Sequence, residues 1–489
     1  MTHDQLIEEL SSECGAGDRH ALLQLETDAP ARRAPARFPL LTDPIDESAV
    51  SLFEENLRRG AKPSAEWMCG IEFEVFGYDA RDAGGRRVRL SPAQVQAVLA
   101  GFAPSSGDLV YEGRTIVEAD AGQMNRLTVE PGGQVEFSGA PQARLVEAER
   151  EVRRYLVRLG EIAEAEGYVF LAVGFDPLCT LAEQRWFPKL RYDVMRPYLA
   201  TRGARAWDMM TRTCAVQANL DYGDDDDLAR KFLVANRLAP IATAIFANSP
   251  FEAGRPSGYK ATRAAAWLAT DADRTGISPT ALSENSFSPA AFVAYALDVP
   301  MLFAQRDGVY HDAPTGMKFR DFLARRGGAR DALAPVFGDW ADHLTTIFTD
   351  ARLKQHLELR SADCGSLTHA LAFQAYWKGL LYDAETRDEA LRLAPALNRE
   401  DALELRRAVA RDALAARVAG VDVLALAKET VRLAVEGLRR TAPEELCYLD
   451  VLCQQVVADE LCPADILLRN WHGSWHASLP RLFEYLRIA

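Results

Sequence analysis

The sequence predicts an α+β fold, in which antiparallel strands in the central part are followed by a mainly helical C-terminal part. Alternating polar and apolar residues, typical of half-buried strands, occur between residues 70 and 138 and again at 213–223. From about residue 280 onward, apolar residues recur mostly at helical spacing. Strands and helices do not alternate regularly along the chain, which argues against a doubly wound fold.

Composition indicates a globular protein without a nucleic-acid or membrane partner. Hydrophobic residues make up 48% of the chain and charged residues 26%. The net charge of −14 disfavours binding to a phosphate backbone, and no apolar stretch approaches the ~18 residues of a membrane span. We find no signal or transit peptide pattern and expect a cytoplasmic location. The eight cysteines form no CxxC pair, so we expect reduced thiols.

The first residues of the chain are expected to lie outside the main domain. Residues 1–35 are predicted to form a helix and a linker, because prolines and alternating Ala and Arg disfavour a packed element there. We therefore divide the chain into an N-terminal extension, residues 1–40, and a single domain, residues 41–489. The domain opens with a helix at 46–63, which has one apolar stripe and ends at Gly60.

Strands follow this helix. The segment GIEFEVFG, residues 70–77, is predicted to place two glutamates on one face and apolar residues on the other. A Pro-Gly-Gly turn at 131–133 joins RLTVE to QVEFSG in a β-hairpin. YVFLAVGF is a predicted buried strand, and TCAVQANLDYG alternates again.

Long helices are predicted between and after the strands. Residues 143–167 form an amphipathic helix, and a further helix opens with the acidic run 224–227. We interpret that run as a solvated helix start and not as a metal site, because negative charge is favourable at a helix N-terminus. Two amphipathic helices near the C-terminus are joined near Gly420.

Three predicted strands share an unusual polar face. Its members are Glu72 and Glu74, Glu130 and Glu136, and Gln217 and Asn219. A sheet with one face in water would explain the polar face of any one strand. Taken together, however, these faces carry carboxylate and amide oxygens and almost no lysine, which is unlike a solvated surface. Carboxylates ~6 Å apart repel by about 3 kcal/mol at an effective dielectric of ~20. Mg²⁺ would relieve that repulsion, and it is normally shared with substrate phosphates.

Several arginines lie in or beside segments with unusual local sequence. They are Arg191, Arg212, Arg263 and Arg360. Phosphoryl transfer needs cations at the developing negative charge, although an arginine considered alone is more often a surface residue. No Walker A, GxGxxG, HExxH or GxSxG motif occurs, so any use of ATP does not involve a P-loop.

Ordered segments between about residues 65 and 475 resemble the plant-type glutamate–cysteine ligases, a family also found in proteobacteria. They are GIEFEVFGYD, LTVEPGGQVEFSGAP, LRYDVMRPYL, DMMTRTCAVQANLDY, LAPIATAIFANSPF, DADRTGISP, YALDVPM, FRDFLA, WADHLTTIFTDARLKQHLELRSAD and YWKGLLYD. The resemblance implies a glutamine synthetase-like fold, in which a curved antiparallel sheet forms the active-site basin and helices pack outside it. It also implies ATP-dependent formation of γ-glutamylcysteine through a γ-glutamyl phosphate, the first step of glutathione synthesis.

The resemblance also implies roles for individual residues. Two or more Mg²⁺ ions would be bound by Glu72, Glu74, Glu130, Glu136, Gln217 and Asn219. Arg263 and Trp267 would hold the α-carboxylate of glutamate, with Met210, Thr213 and Gln217 nearby in the substrate site. Arg191 is the candidate for the carboxylate of the acceptor amino acid. Arg360 is the candidate for the transferring phosphoryl group, and Arg191 and Arg212 are further catalytic candidates. ATP is the expected cosubstrate, and the protein is expected to be a monomer or homodimer.

Departures from the family pattern leave the acceptor open. Phe73 stands where the family usually has histidine, and the segments RAAAW and LRSAD differ from their family counterparts. A γ-glutamyl ligase that uses an amine other than cysteine is therefore the main alternative. A catalytically silent homologue and a kinase that phosphorylates a small carboxylate without ligation are further alternatives, and ADP release distinguishes them.

Overall fold

The structure, a computed structural model, describes residues 39–80, 87–282, 287–325 and 333–489. The predicted helix and linker of residues 1–35 lie outside the described residues. Ten strands in the described part form one large sheet. They are β1 (Cys69–Asp79), β2 (Val88–Arg89), β3 (Leu109–Glu112), β4 (Thr115–Gly122), β5 (Asn125–Val129), β6 (Val135–Ser138), β7 (Tyr168–Leu171), β8 (Ala215–Leu220), β9 (Ala351–Leu353) and β10 (Leu357–Asp363).

The sheet is antiparallel and is organised around β1. Its order is β9-β10-β8-β1-β6-β5-β4-β3, and β2 and β7 both pair with the second half of β1. The first half of β1 lies between β8 and β6. The β5–β6 hairpin predicted from the Pro-Gly-Gly turn is confirmed, because Val129 pairs with Val135 and Leu127 with Phe137.

One face of the sheet packs against helices. Ile71, Phe73 and Val75 of β1 are completely or almost completely buried, as alternation predicts for the apolar side of a strand. They share a hydrophobic core with Phe373 and Trp377. Phe73 therefore points away from the polar face, and the glutamates on either side of it point together in the opposite direction.

The helix predicted at 143–167 is confirmed with nearly the same bounds, Leu145–Glu166, whereas the helix predicted at 46–63 is shorter, Val50–Arg58. The α-helices longer than one turn in the described part are α1 (Val50–Arg58), α2 (Pro92–Phe102), α3 (Leu145–Glu166), α4 (Leu190–Ala200), α5 (Ala206–Arg212), α6 (Asp225–Ile245), α7 (Thr262–Leu268), α8 (Pro289–Asp298), α9 (Phe319–Leu323), α10 (Phe337–Leu344), α11 (Leu367–Leu381), α12 (Ala384–Leu393), α13 (Arg399–Asp412), α14 (Val423–Thr441), α15 (Pro463–His472) and α16 (Leu479–Leu486). The acidic run is a helix start as predicted, since the Asp224 carboxylate accepts from the backbone N–H of Asp227 at the beginning of α6.

The last third is less purely helical than the sequence predicts. Phe303–Arg306 and Val309–Asp312 form a separate hairpin, and β9 and β10 return to the main sheet. The register of β10 shifts between Leu359 and Ala362, so the strand contains a bulge. A bulge interrupts the alternation of side chains, so the alternating pattern of this strand is too short to separate it from the predicted helical part.

Three further predictions concern the chain as a whole. No helix in the described residues is long and apolar enough to span a membrane. The described cysteines are free thiols, most of them buried. The division into residues 1–40 and 41–489 stays a prediction.

Candidate functional site

The predicted polar face of β1 faces a cavity. Glu74 is directly opposite Glu136 of β6, and Glu72 lies between Gln217 of β8 and Ser138 of β6. Because residues two apart on a strand share a face, this register gathers oxygen-bearing side chains from three adjacent strands. The face is the floor of a cavity of about 310 Å³.

The turn between β5 and β6 supplies a further carboxylate. Two backbone hydrogen bonds fix Glu130. Its N–H donates to the Gln134 carbonyl at 2.9 Å, and the Glu130 carbonyl accepts from the Gly133 N–H at 2.8 Å. The Gln134 side chain donates to the Thr213 carbonyl at 2.9 Å. A Cβ on Gly132 would lie 2.3 Å from the Thr211 carbonyl oxygen, so glycine is required for this close approach.

A buried ion pair supports the turn from behind. Arg89 pairs with Asp176 at 3.1 Å and donates to the Gly132 carbonyl at 2.9 Å. Tyr78 and Gln184 donate to the same aspartate at 2.7 and 3.0 Å. Burial opposes ionisation, but Arg89 and the hydrogen bonds hold the pKa of Asp176 below its ordinary value. The network therefore connects the second half of β1 and β2 to the turn that carries Glu130.

We expect Asp176→Asn to destabilise the protein by about 3 kcal/mol at pH 7, because Arg89 would remain buried without a counter-charge. A carboxyl with a depressed folded pKa stabilises the fold above its unfolded pKa, near 3.8, and stops doing so as the pH falls through the folded value. The deficit of the variant should therefore be largest near neutrality and shrink in acid. Urea denaturation of both proteins across pH measures it, with the exposed Asp193→Asn as control. Equal stability at pH 7 would contradict the assignment.

Basic side chains form one wall of the cavity. They come from the segment before α4 and its start, from α7, and from β9, β10 and the turn between them. They are Lys189, Arg191, Arg263, Arg352, Lys354 and Arg360. The acidic floor consists of Glu72, Glu74, Glu130 and Glu136. The cavity thus has an acidic floor and a cationic wall, and the wall contains more charges than the floor.

Arg360 connects the wall to the floor. Its guanidinium donates to the Gln217 side chain at 2.5 Å and to Glu358, which is fully buried. Burial alone would raise the pKa of Glu358, but Arg352, Lys354 and Arg360 hold it well below its usual range. The charged Glu358 in turn raises the pKa of Arg360 against the effect of burial.

Arg263 and Trp267 lie side by side on α7 at the edge of the cavity. The Arg263 guanidinium donates to the Arg360 backbone carbonyl at 2.9 Å and lies 4.0 Å from Asp363. Burial lowers its pKa, although Asp363 and Glu74 oppose that effect. The Trp267 indole N–H is buried and has no partner among the described residues. Both side chains can therefore donate to a bound ligand.

Three predicted substrate-site residues also line the cavity, namely Arg191 of the cationic wall, Met210 and Thr213. Arg191 donates to the Thr345 hydroxyl at 2.8 Å and lies over the Phe303 ring at 5.3 Å from its centroid. The Thr213 hydroxyl, just after α5, donates back to the Met209 carbonyl of that helix at 2.6 Å. The structure therefore brings these three predicted residues to the cavity.

The pKa values of the floor carboxyls are raised. Burial and the charges of Glu358 and Glu136 raise the pKa of Glu72 to about 8. Burial and the charges of Glu136 and Glu130 raise the pKa of Glu74 well above its ordinary value. Burial is also the main cause of the raised pKa of Glu130 and of Glu136. Burial and mutual repulsion thus disfavour the charged forms of the floor carboxyls, and a bound cation would relieve both effects.

The donor set fits a hard divalent cation. The floor presents carboxylate oxygens. The predicted ligand Asn219 is not among the described residues that line the cavity, but its amide oxygen is buried without a hydrogen-bond partner in the described part of the chain. The Asn219 amide donates to Glu72 at 2.9 Å. Within the described ranges, no three His, Cys, Asp or Glu side chains converge closely enough to hold a metal ion. Cation binding therefore requires the glutamates to turn toward a shared point.

Arg212 is a predicted site residue that the structure does not bring to the cavity. Its guanidinium is buried and forms ion pairs with Asp208 at 2.8 Å and Glu252 at 2.7 Å. It also lies over the Phe175 ring at 4.5 Å. These contacts tie the end of α5 to its surroundings, so we expect Arg212 to act on the fold and not on substrate.

Sequence reasoning missed several residues of the cavity and its wall. They are Thr128, Gln134, Lys189, Arg352, Lys354 and Glu358. Lys189 precedes Arg191, and Glu358 precedes Arg360, by two positions. If the sequence had predicted β10 as a strand, Glu358 would have been expected on the same face as Arg360, because residues two apart on a strand share a face.

Comparisons with known proteins find similarity over most of the chain. Residues 68–484 match the sequence profile of glutamate–cysteine ligase family 2. The chloroplastic glutamate–cysteine ligase of Medicago truncatula is 37% identical over 459 residues, which cover 92% of this chain and 89% of the relative. The chloroplastic glutamate–cysteine ligase of Arabidopsis thaliana is 38% identical over 446 residues, which cover 91% of this chain and 83% of the relative. Since these relatives are chloroplastic, the cytoplasmic location of this chain stays a prediction.

A solved structure supports the fold. The crystal structure of a glutamate–cysteine ligase from Francisella tularensis in complex with AMP aligns with a TM-score of 0.52 at 12% sequence identity. The alignment covers 86% of this chain and 87% of that one. The profile match over most of the length, together with the similarity to the plant enzymes, shows that the chain belongs to glutamate–cysteine ligase family 2.

Proposed function

We propose that this protein joins the γ-carboxylate of glutamate to the amine of L-cysteine, with conversion of ATP to ADP and phosphate. The product is γ-glutamylcysteine, and the reaction is the first step of glutathione synthesis. The observation that carries the proposal is that one cavity combines an acidic floor with a cationic wall. Family membership and the names of the relatives support it.

The proposed reaction explains why the cavity needs both acidic and basic side chains. A carboxylate is a poor acyl donor, because its leaving group would be oxide. In the first step an oxygen of the glutamate γ-carboxylate attacks the γ-phosphorus of ATP, and ADP leaves. In the second step the neutral amine nitrogen attacks the acyl carbon, phosphate leaves, and the amine loses a proton. Both steps involve crowded negative charge, which fixed cations stabilise.

Each part of the cavity has a role in this reaction. Arg263 and the Trp267 N–H would hold the α-carboxylate of glutamate, since a planar guanidinium matches a carboxylate. Arg191 would bind the carboxylate of the acceptor, and Arg360 would contact the transferring phosphoryl group. Two or more Mg²⁺ ions, held by the floor glutamates with Gln217 and Asn219, would neutralise the phosphate charge when bound.

We expect Arg263→Lys to raise the KM for glutamate about tenfold with a smaller change in kcat, because an ammonium cannot reproduce the bidentate guanidinium contact. Steady-state kinetics with varied glutamate measure the effect. Arg255→Lys, an exposed arginine, is the matched control. A glutamate KM equal to that of the wild type would exclude Arg263 from the glutamate site.

The reaction itself is tested by offering Mg-ATP and glutamate with a panel of amino acids and amines, recording ADP release and product masses. We expect ADP and a product of the mass of γ-glutamylcysteine when cysteine is present. ADP release at full rate with glutamate alone would indicate a kinase instead. A product only with another amine would identify the alternative acceptor, and no turnover would indicate a silent homologue.

A further inference from the structure

A second cavity of about 260 Å³ lies apart from the substrate cavity. Its walls are Leu268 at the end of α7, Ile277, Tyr295 of α8 and one face of α13. We name it the outer cavity. It is close in size to the substrate cavity of about 310 Å³, and its walls are largely apolar. A concave apolar site with a few placed polar groups is typical of small-molecule binding.

The polar groups of the outer cavity are mainly arginines of α13. Arg399, Arg406 and Arg407 are spaced at i, i+7 and i+8, which places them along one face of the helix. Arg406 is ion-paired with Asp350 at 2.9 Å. Arg399 and Arg407 are exposed and have no ion pair with any residue in the described ranges.

The acidic residue in the lining does not neutralise these two arginines. Asp273 is paired with Arg202, outside the cavity lining. The outer cavity therefore carries excess positive charge in a chain whose net charge is −14. A concave site with uncompensated guanidinium groups favours an anionic ligand.

We propose that the outer cavity binds a small organic anion with carboxylate groups at both ends. The eight-residue separation places the Cα atoms of Arg399 and Arg407 about 12 Å apart along the helix. A ligand with an anionic group at each end can therefore contact both arginines at once. The apolar walls contributed by Leu268 and Ile277 favour a carbon skeleton between these groups over inorganic phosphate.

The outer cavity is adjacent to the substrate cavity but separate from it. A small chamber of about 30 Å³ lies between them. It shares Arg406 and Leu268 with the outer cavity, and Arg263 and Trp267 with the substrate cavity. Gly276 packs closely against Arg406, since a Cβ on Gly276 would lie 2.4 Å from the Arg406 Nη1. The inferred site is thus distinct from the glutamate site that we propose above.

Isothermal titration calorimetry with citrate tests the inference on the full chain, in metal-free buffer without glutamate, cysteine or ATP. We expect the double variant Arg399→Ala/Arg407→Ala to weaken citrate binding at least about tenfold, since two charge-assisted contacts are lost. Unliganded thermal denaturation should be unchanged, because both side chains are exposed. As the measurement involves no turnover, its outcome is independent of the proposed reaction.

The matched control is Arg114→Ala/Arg150→Ala, which removes the same charge from exposed positions outside the lining of the outer cavity. We expect its citrate affinity to remain within about twofold of the wild type, since long-range charge effects are screened by salt. Citrate bound in the substrate cavity should be the same in all three proteins, so the isotherms are fitted with two sites and the site that differs between the double variants is compared. Equal citrate affinity in the wild type and both double variants would overturn the proposal. Equal weakening in both double variants would also overturn it, because the effect would then be one of net charge.

Discussion

The Glu74→Gln variant is expected to lose about 100-fold or more in turnover while remaining folded, and Glu72→Gln is expected to behave in the same way. Glu74 lies at the centre of the cavity floor, opposite Glu136. A glutamine keeps the shape and can still accept the hydrogen bond from the Ala215 N–H, which the carboxylate accepts at 2.9 Å. It removes the negative charge, and with it a ligand for the proposed magnesium ions.

The loss of turnover in Glu74→Gln should not be accompanied by a loss of stability. Burial and the neighbouring Glu136 and Glu130 destabilise the charged form of Glu74 in the metal-free protein. Removing the charge should therefore leave the metal-free melting temperature unchanged or raise it. Kinetics as a function of Mg²⁺ should show a weaker response to the metal. Glu164→Gln, on the exposed side of α3, is the control. Near-normal kinetics of Glu74→Gln at limiting Mg²⁺ would refute the ligand assignment.

The Arg360→Lys variant is expected to lower kcat about 100-fold, with little change in the KM for glutamate. A lysine preserves the charge but not the planar donor geometry that reaches Gln217 and Glu358. The fold should survive, because Glu358 retains its ion pairs with Arg352 and Lys354. The contact from Arg263 should also survive, since it is made to the backbone carbonyl of Arg360.

The two arginine variants therefore have opposite kinetic signatures. Arg263→Lys should act mainly on the KM for glutamate, and Arg360→Lys mainly on kcat at saturating substrates. Arg392→Lys, on the exposed side of α12, is the control for the second substitution. If kcat of Arg360→Lys equals that of the wild type, the assignment of Arg360 to the transferring phosphoryl group is wrong. Circular dichroism and thermal denaturation verify that both variants are folded.

Local sequence signals predicted the part of the site that comes from regular strands. Alternation alone placed Glu72 and Glu74 opposite Phe73, because side chains of a strand point alternately to its two faces. The Pro-Gly-Gly turn fixed the pairing of the hairpin that carries Glu130 and Glu136. These features depend on neighbours within a few residues, so they can be read from the chain itself.

Glu358 on β10 and Lys354 just before this strand could not be read in this way, although Arg360 on the same strand stands out in the sequence. The bulge between Leu359 and Ala362 shortens the alternating pattern, and the partner strand β8 is more than a hundred residues earlier in the chain. Glu358 and Lys354 gain their roles only when β10 pairs with β8. The supporting pair of Arg89 and Asp176, 87 residues apart, was missed for the same reason.

Sequence alone determined which strands have a polar face, where the hairpin turns, and, through resemblance, the family. Only the tertiary structure decided which arginines reach the cavity. Arg212 and Arg263 lie in equally unusual sequence segments, yet Arg212 is neutralised by Asp208 and Glu252, whereas Arg263 lines the cavity. The reason is physical: a side chain's partners are set by long-range packing, whereas the face it occupies is set by its own strand or helix.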